Sequence, residues 1–115
     1  MNSKDILLAA NEQISKGNYD GFLNYCTEDT SWNFIGEQLL VGKVAVGAYM
    51  KAAYLEPPKV AVDHLIAEGN FLVAYGKIEI VNAEGIWMAY HYCDVWQLSE
   101  GKLASLKAYV VPQNV

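Results

Sequence analysis

FLVAYGKIEIVNAEGIWMAYHYCDVWQLSEGKLASLKAYVV, Phe71 to Val111, decides the fold. Its segments Phe71 to Asn82, Ile86 to Leu98 and Leu103 to Val111 are rich in Val, Ile, Tyr and Trp, the residues that fit a pleated surface. Ala83-Glu84-Gly85 and Ser99-Glu100-Gly101 separate them and suit tight turns. Upstream, Lys59 to Glu68 has the same texture and ends at Gly69-Asn70. Four strands joined by hairpins form an antiparallel meander. In Phe71 to Val81, Leu72, Ala74, Gly76, Ile78 and Ile80 share one face, and Phe71, Val73, Tyr75, Lys77, Glu79 and Val81 the other. A sheet with one wet face alternates more cleanly. Both faces are therefore expected to be covered, one by helices and the other by a second subunit. The uncharged face of Leu72, Ala74, Ile78 and Ile80 is the expected homodimer contact, on the outer side of the sheet.

Helices precede these strands. Ile6, Leu7, Ala10 and Ile14 form an apolar stripe at helical spacing, with Ser3 as the expected N-cap and Gly17 as the stop. Asn18 is placed to cap a short second helix through Phe22 to Tyr25. Thr30 to Ile35 alternates as a first strand that ends at Gly36. A third helix, Lys43 to Tyr54, opens at Gly42 and is closed by Pro57-Pro58. Helices first and strands afterwards is the α+β order. At 115 residues the chain is read as one domain, 1–115.

Composition narrows the partners. Apolar residues are 53% of the chain, charged residues 18%, and the net charge is −5. All eight basic residues are lysines. Without arginine there is no bidentate guanidinium clamp, and the negative charge repels phosphate backbones, so nucleic acid is not expected. No apolar run approaches the ~20 residues of a membrane helix, and the N-terminus lacks an apolar signal core. A cytoplasmic location away from membranes is expected. Cys26 and Cys93 form no CxxC pair and are read as reduced, buried thiols. His64 and His91 lie in no HxH or HExxH spacing, so neither a metal nor another cofactor is expected.

Two stretches carry a family resemblance. DTSWNFIGEQLLVGKVAVGAYM, Asp29 to Met50, resembles the strand, glycine turn and third helix of the SnoaL-like branch of the nuclear transport factor 2-like superfamily. YHYCDVWQLSEGKLASLKAYVV, Tyr90 to Val111, resembles its last hairpin. The resemblance implies three N-terminal helices packed on a strongly curved, mainly antiparallel, cone-shaped sheet that encloses an apolar pocket. The fold hosts isomerases, cyclases, hydrolases and noncatalytic modules, so it does not fix the activity. Comparison with the similar ketosteroid isomerases puts Asn33 at the position of the base, Ala10 near the helix 1 tyrosine and Asp94 at the oxyanion-hole aspartate. An amide takes no proton and alanine donates none, so that mechanism is excluded. The epoxide hydrolases of similar fold use an Asp-Arg-Asp arrangement, which a chain without arginine lacks.

The residues themselves yield further candidates. Asp94 sits in the apolar run Tyr90 to Leu98, on one strand face with Tyr92 and Trp96, where burial would raise its pKa. It is either a proton-transfer group or a structural aspartate bonded to backbone or to a tyrosine hydroxyl at the cone mouth. Asn33 faces away from Trp32 and Phe34 and, by the resemblance, into the cone. Tyr75, Lys77 and Glu79 are assigned by the same mapping to the cone with Asp94. There Glu79 is either a second carboxyl in the cavity or half of a Lys77–Glu79 surface pair. One of Asp63 and His64 points inward, and the alternation leaves open which. Tyr49, Tyr75, Tyr92 and Trp96, with Asn33, are the expected pocket residues, and Asp94, Glu79 and His64 the expected catalytic ones. The resulting expectation is isomerase/cyclase-type proton transfer on a small apolar, cyclic or polyketide-like molecule. Noncatalytic binding of a small apolar ligand and a dimeric scaffold are the alternatives.

Overall fold

A computed structural model describes residues 1–113. Helices α1 (Ser3–Ser15) and α2 (Tyr19–Leu23) lead into β1 (Cys26–Phe34) and β2 (Gln38–Val41). Helix α3 (Lys43–Ala53) follows, then β3 (Lys59–Glu68), β4 (Phe71–Val81), β5 (Trp87–Ser99) and β6 (Lys102–Pro112). The six strands form one sheet in the order β2-β1-β6-β5-β4-β3. All neighbours are antiparallel except β1 and β6, which run parallel. The architecture is α+β, with helices packed on a curved, open sheet.

Local chemistry explains the boundaries. Asn2, one residue before the expected Ser3, caps α1 by accepting from the Asp5 amide at 2.9 Å. Asn18 caps α2 as expected, accepting from the Gly21 amide at 3.0 Å. Gly36 turns β1 into β2 at φ 85, a left-handed conformation that glycine adopts at no steric cost. Strand β2 was not foreseen. It is a four-residue edge strand whose Leu39 and Leu40 break the alternation.

Three register irregularities shape the sheet, one of them in the β1/β6 pairing between Cys26 and Ser31. The β3/β4 register slips between Val62 and His64, and the β5/β6 register between Gln97 and Leu98. Such bulges bend a strand and tighten its twist. Thr30, fully buried, ties β1 to β6 by donating its hydroxyl to the Leu103 carbonyl at 3.1 Å. The core occupies the closed end of the cone, where α1, α2 and α3 bring Leu7, Phe22, Val46 and Met50 against Leu72 and Leu103. Cys26 is buried there and Cys93 half-buried on the sheet, both as free thiols. No helix of the described residues is long and apolar enough to cross a membrane.

The register reverses the expected faces of β4. Residues directly opposite one another in a ladder share a face. Leu72 pairs with Trp96, Ala74 with Asp94, Gly76 with Tyr92 and Ile78 with Tyr90. The face of Leu72, Ala74, Ile78 and Ile80 is therefore the concave one, beneath the helices, with Leu72 and Ala74 buried. It is the inner surface, not the outer one expected to carry a subunit contact. Phe71, Val73, Tyr75, Lys77 and Glu79 take the convex side.

Candidate functional site

Beyond the closed end the cone opens into a cavity of about 330 Å³, at the small end of the range for ligand pockets. Helix α1 contributes Leu7, Asn11 and Ile14, at positions i, i+4 and i+7 of one stripe. Strand β1 adds Trp32 and Phe34, and α3 adds Tyr49 and its C-cap residue Tyr54. The sheet supplies Ala74 and Ile78 from β4, Tyr90, Tyr92, Asp94 and Trp96 from β5, and Ala108 and Val110 from β6. Burial falls off along each strand toward Ile80, Val110 and Pro112, so the mouth lies at that end. Glu37, exposed in the β1–β2 turn, stands on the rim.

The walls are aromatic. Trp32 is the hub, packing edge-on against Phe22 at 5.7 Å, Tyr49 at 6.2 Å and Trp96 at 6.3 Å between ring centroids. Tyr49 stacks obliquely on Phe34 at 4.9 Å and meets Tyr54 at 6.2 Å. Edge-to-face pairs of this kind add roughly 0.5–1.5 kcal/mol each beyond burial.

Against this apolar lining sits Asp94. Protein surrounds it, and it retains some accessible surface where it borders the cavity. Burial pushes its carboxyl up to about 7 from 3.8, because an apolar surrounding penalises the charged form. Tyr54 and Tyr92 are near enough to sense its charge. Burial raises the Tyr54 hydroxyl first, followed by Tyr49 and Asp94. For Tyr92 the order is burial, then Asp94 and Asp63. Both phenols stay protonated donors. The Tyr49 hydroxyl is raised by burial, then by Glu37 and Tyr90. The side-chain donors of Trp32, Tyr92 and Trp96 are buried without a hydrogen-bond partner. Native proteins rarely leave such groups unpaired. The cavity thus joins a carboxyl that titrates near neutrality to phenol hydroxyls and apolar walls. That combination suits proton exchange with a bound molecule.

Of the residues singled out from the sequence, the cavity gathers Tyr49, Tyr92, Asp94 and Trp96. Four others lie elsewhere. Asn33 pairs with Leu39 and Lys107, and its neighbours Trp32 and Phe34 take the inner face, so Asn33 points to the convex side. Tyr75 and Glu79 are convex for the reason given for β4. His64 lies opposite Tyr75, and the two rings meet at 5.1 Å on that outer face. The bulge settles the choice between neighbours: neither Asp63 nor His64 lines the cavity, and both are exposed. The sequence singled out none of Asn11, Glu37, Tyr54 and Tyr90, although Tyr54 and Tyr90 are among the tyrosines able to line a cavity. Asn11 had a positional signal, since it lies on the apolar stripe between Leu7 and Ile14. The described residues hold no cluster of three or more His, Cys, Asp or Glu suited to a metal ion.

The chain belongs to the SnoaL-like domain family, whose model matches residues 8–106. Among curated proteins none is significantly similar in sequence. Solved structures of nuclear transport factor 2-like proteins share the fold. One such protein from Cytophaga hutchinsonii ATCC 33406 is 21% identical over 96% of this chain and 100% of its own, with a TM-score of 0.76. The epoxide hydrolase/cyclase-like enzyme SalBIII, described as having a role in pyran ring formation in the polyether salinomycin, is 20% identical. It covers 93% of this chain and 88% of its own at a TM-score of 0.84. A protein from Shewanella denitrificans OS-217, described as a SnoaL-like polyketide cyclase, is 11% identical over the same shares, 93% and 88%, with a TM-score of 0.83. At these identities the likeness establishes the fold alone.

Proposed function

Starting from membership of the SnoaL-like family, we propose that the chain binds a small apolar, cyclic or polyketide-like molecule in the cone and moves a proton on it through Asp94. The reading rests on one observation: a buried carboxyl, pushed up to about 7, bordering a cavity of about 330 Å³. A group that titrates near the working pH is both a usable acid and a usable base. Tyr54 and Tyr92, protonated and close to Asp94, would hold an oxygen of the ligand and steady charge that develops there. Neighbours described as a cyclase-like enzyme and a polyketide cyclase favour isomerase or cyclase chemistry. A ketosteroid isomerase mechanism is not part of the reading, because Asn33 is an amide on the convex face.

Replacing Asp94 with Asn tests it. Ligand binding, followed by quenching of Trp32 and Trp96 fluorescence, should survive in Asp94→Asn, while exchange of acidic C–H protons of a cyclic ketone into deuterated water should disappear. Exchange that is equal in both proteins would remove Asp94 from the chemistry.

A specific observation favours a second reading, noncatalytic ligand binding. His64 and Glu79, the expected bases, stand outside the cavity, which leaves Asp94 with only the rim carboxylate Glu37. Binding without proton exchange in either protein would select it.

The partner and location expectations stay with this proposal: a homodimer, now through the convex face, in the cytoplasm. The convex side carries Ile66, Phe71, Tyr75, Tyr109 and Val111, all exposed, interspersed with Lys77, His91 and Lys107, and these exposed apolar side chains support such a contact.

A further inference from the structure

The cavity has an electrostatic character that the proton-transfer reading does not use. Asp94 lies inside it, Glu37 stands on its rim, and Asp63 is close enough to raise the Tyr92 hydroxyl. No lysine or histidine lines it among the described residues. The lysines lie elsewhere. Lys16, Lys43 and Lys51 pair with Glu12, Glu28 and Asp20 on the helical side. Lys59 lies 4.1 Å over the Trp87 ring, on the convex face with Lys77 and Lys107. Lys4 opens α1, and Lys102 follows the β5–β6 turn. An anion entering the mouth would pass a carboxylate and meet no compensating cation in a low-dielectric space, where like charges repel strongly.

We infer that the site takes an uncharged apolar ligand and rejects its anionic counterpart, with Glu37 on the rim setting that selectivity. The inference deepens the proposed function and rests on its claim that the cavity is a ligand site. Glu37 reaches this position because Gly36 reverses the chain and the Glu37 amide donates to the Phe34 carbonyl at 2.9 Å, closing the turn beside Tyr49. The site would accordingly suit neutral ketones, lactones, quinones or ethers, and exclude free carboxylates and phosphate esters. Any reaction that supplies the ligand must deliver it with its acid groups already esterified, cyclised or absent.

The test uses two fluorescent probes that share one skeleton. N-phenyl-1-naphthylamine is neutral, and 8-anilinonaphthalene-1-sulfonate adds a sulfonate. At low salt and neutral pH the wild-type protein should bind the neutral probe at least about tenfold more tightly. Glu37→Gln should narrow that gap by about threefold or more by strengthening the anionic probe alone. Ala74→Leu, which fills the cavity, should abolish neutral-probe binding. Equal affinities in the wild type, or a gap that Glu37→Gln leaves unchanged, overturn the inference and leave the ligand site standing. No neutral-probe binding in the wild type, or binding that Ala74→Leu leaves intact, overturns the ligand site and the inference with it.

Discussion

Ala74 on β4 lies directly opposite Asp94 on β5, and both side chains belong to the concave face. A methyl group at this point leaves the space in front of the carboxyl open. Leu72 and Trp96, one pair toward the closed end, already fill theirs. Ala74→Leu should therefore occupy the cavity beside Asp94. Forcing three more carbons into a packed wall costs roughly 1–3 kcal/mol, less where a void takes them up. We expect a melting point within a few degrees of wild type together with lost ligand binding. Undiminished binding would mean that this cavity is not the ligand site.

Gly76 sits across from the bulge in β3. A Cβ built there would press on the Ala61 carbonyl oxygen and stand 2.9 Å from the Asp63 amide nitrogen. Backbone cannot rotate aside as a side chain does, so Gly76→Ala must open the bulge. Urea unfolding should show a loss of at least roughly 1–3 kcal/mol, the usual cost of overpacking. A mutant as stable as wild type would mean that the strand relaxes freely at this point and that the bulge does not fix its curvature.

How much of this was legible in the sequence depends on whether a residue belonged to a repeating pattern. The stripe Ile6, Leu7, Ala10, Ile14 gave α1, and the alternation about Trp32 and Phe34 gave β1. The facing of β4 was legible too, although the family mapping led the other way. The loop Ala83-Glu84-Gly85 sets Asn82 against Ile86, so even-numbered residues face even-numbered ones across the hairpin. Asn82 secures this, donating its amide to the Ile86 carbonyl at 2.9 Å and accepting the Ile86 amide on its side chain at 3.0 Å. Following that parity moves Tyr75 and Glu79 outward, whereas a one-residue slip exchanges the two faces entirely. Other parts left no periodic trace. The extra residue at Asp63 changes the parity of β3. Tyr54 leaves the helix at φ −96, ψ 84, so helical spacing assigns it no face. Glu37 belongs to a turn, where direction follows from glycine geometry and from no pattern.

The convex face provides a test of assembly. Tyr75 is 38% exposed and Phe71 50%, with Ile66 and Tyr109 nearby on the same side. A dimer through this face should dissociate toward monomer in light scattering when Phe71 or Tyr75 is replaced by lysine, with circular dichroism unchanged. A mass unaffected by both substitutions would put any contact elsewhere.

The last prediction concerns the sign of the pH dependence. Asp94 has a native pKa pushed up to about 7 by burial, against 3.8 for the ordinary group. The groups facing it, Tyr54 and Tyr92, keep their protons throughout the neutral range, and Glu37 stands at the rim. Between those two values the native protein binds more protons at this site than the unfolded chain does. Stability therefore falls as pH rises from about 4 to about 7 and levels off above that, a loss on the order of 4 kcal/mol as an upper limit, since water in the cavity screens the charge. Asp94→Asn cannot ionise. Its melting point should match wild type near pH 4 and exceed it at pH 8, the gap opening across that window. The same carboxyl observed by carbon-13 NMR should titrate well above the ordinary aspartate range. If the mutant is instead less stable than wild type at pH 8, the ionised carboxylate is held by favourable partners, and Asp94 supports the fold and does not carry a proton.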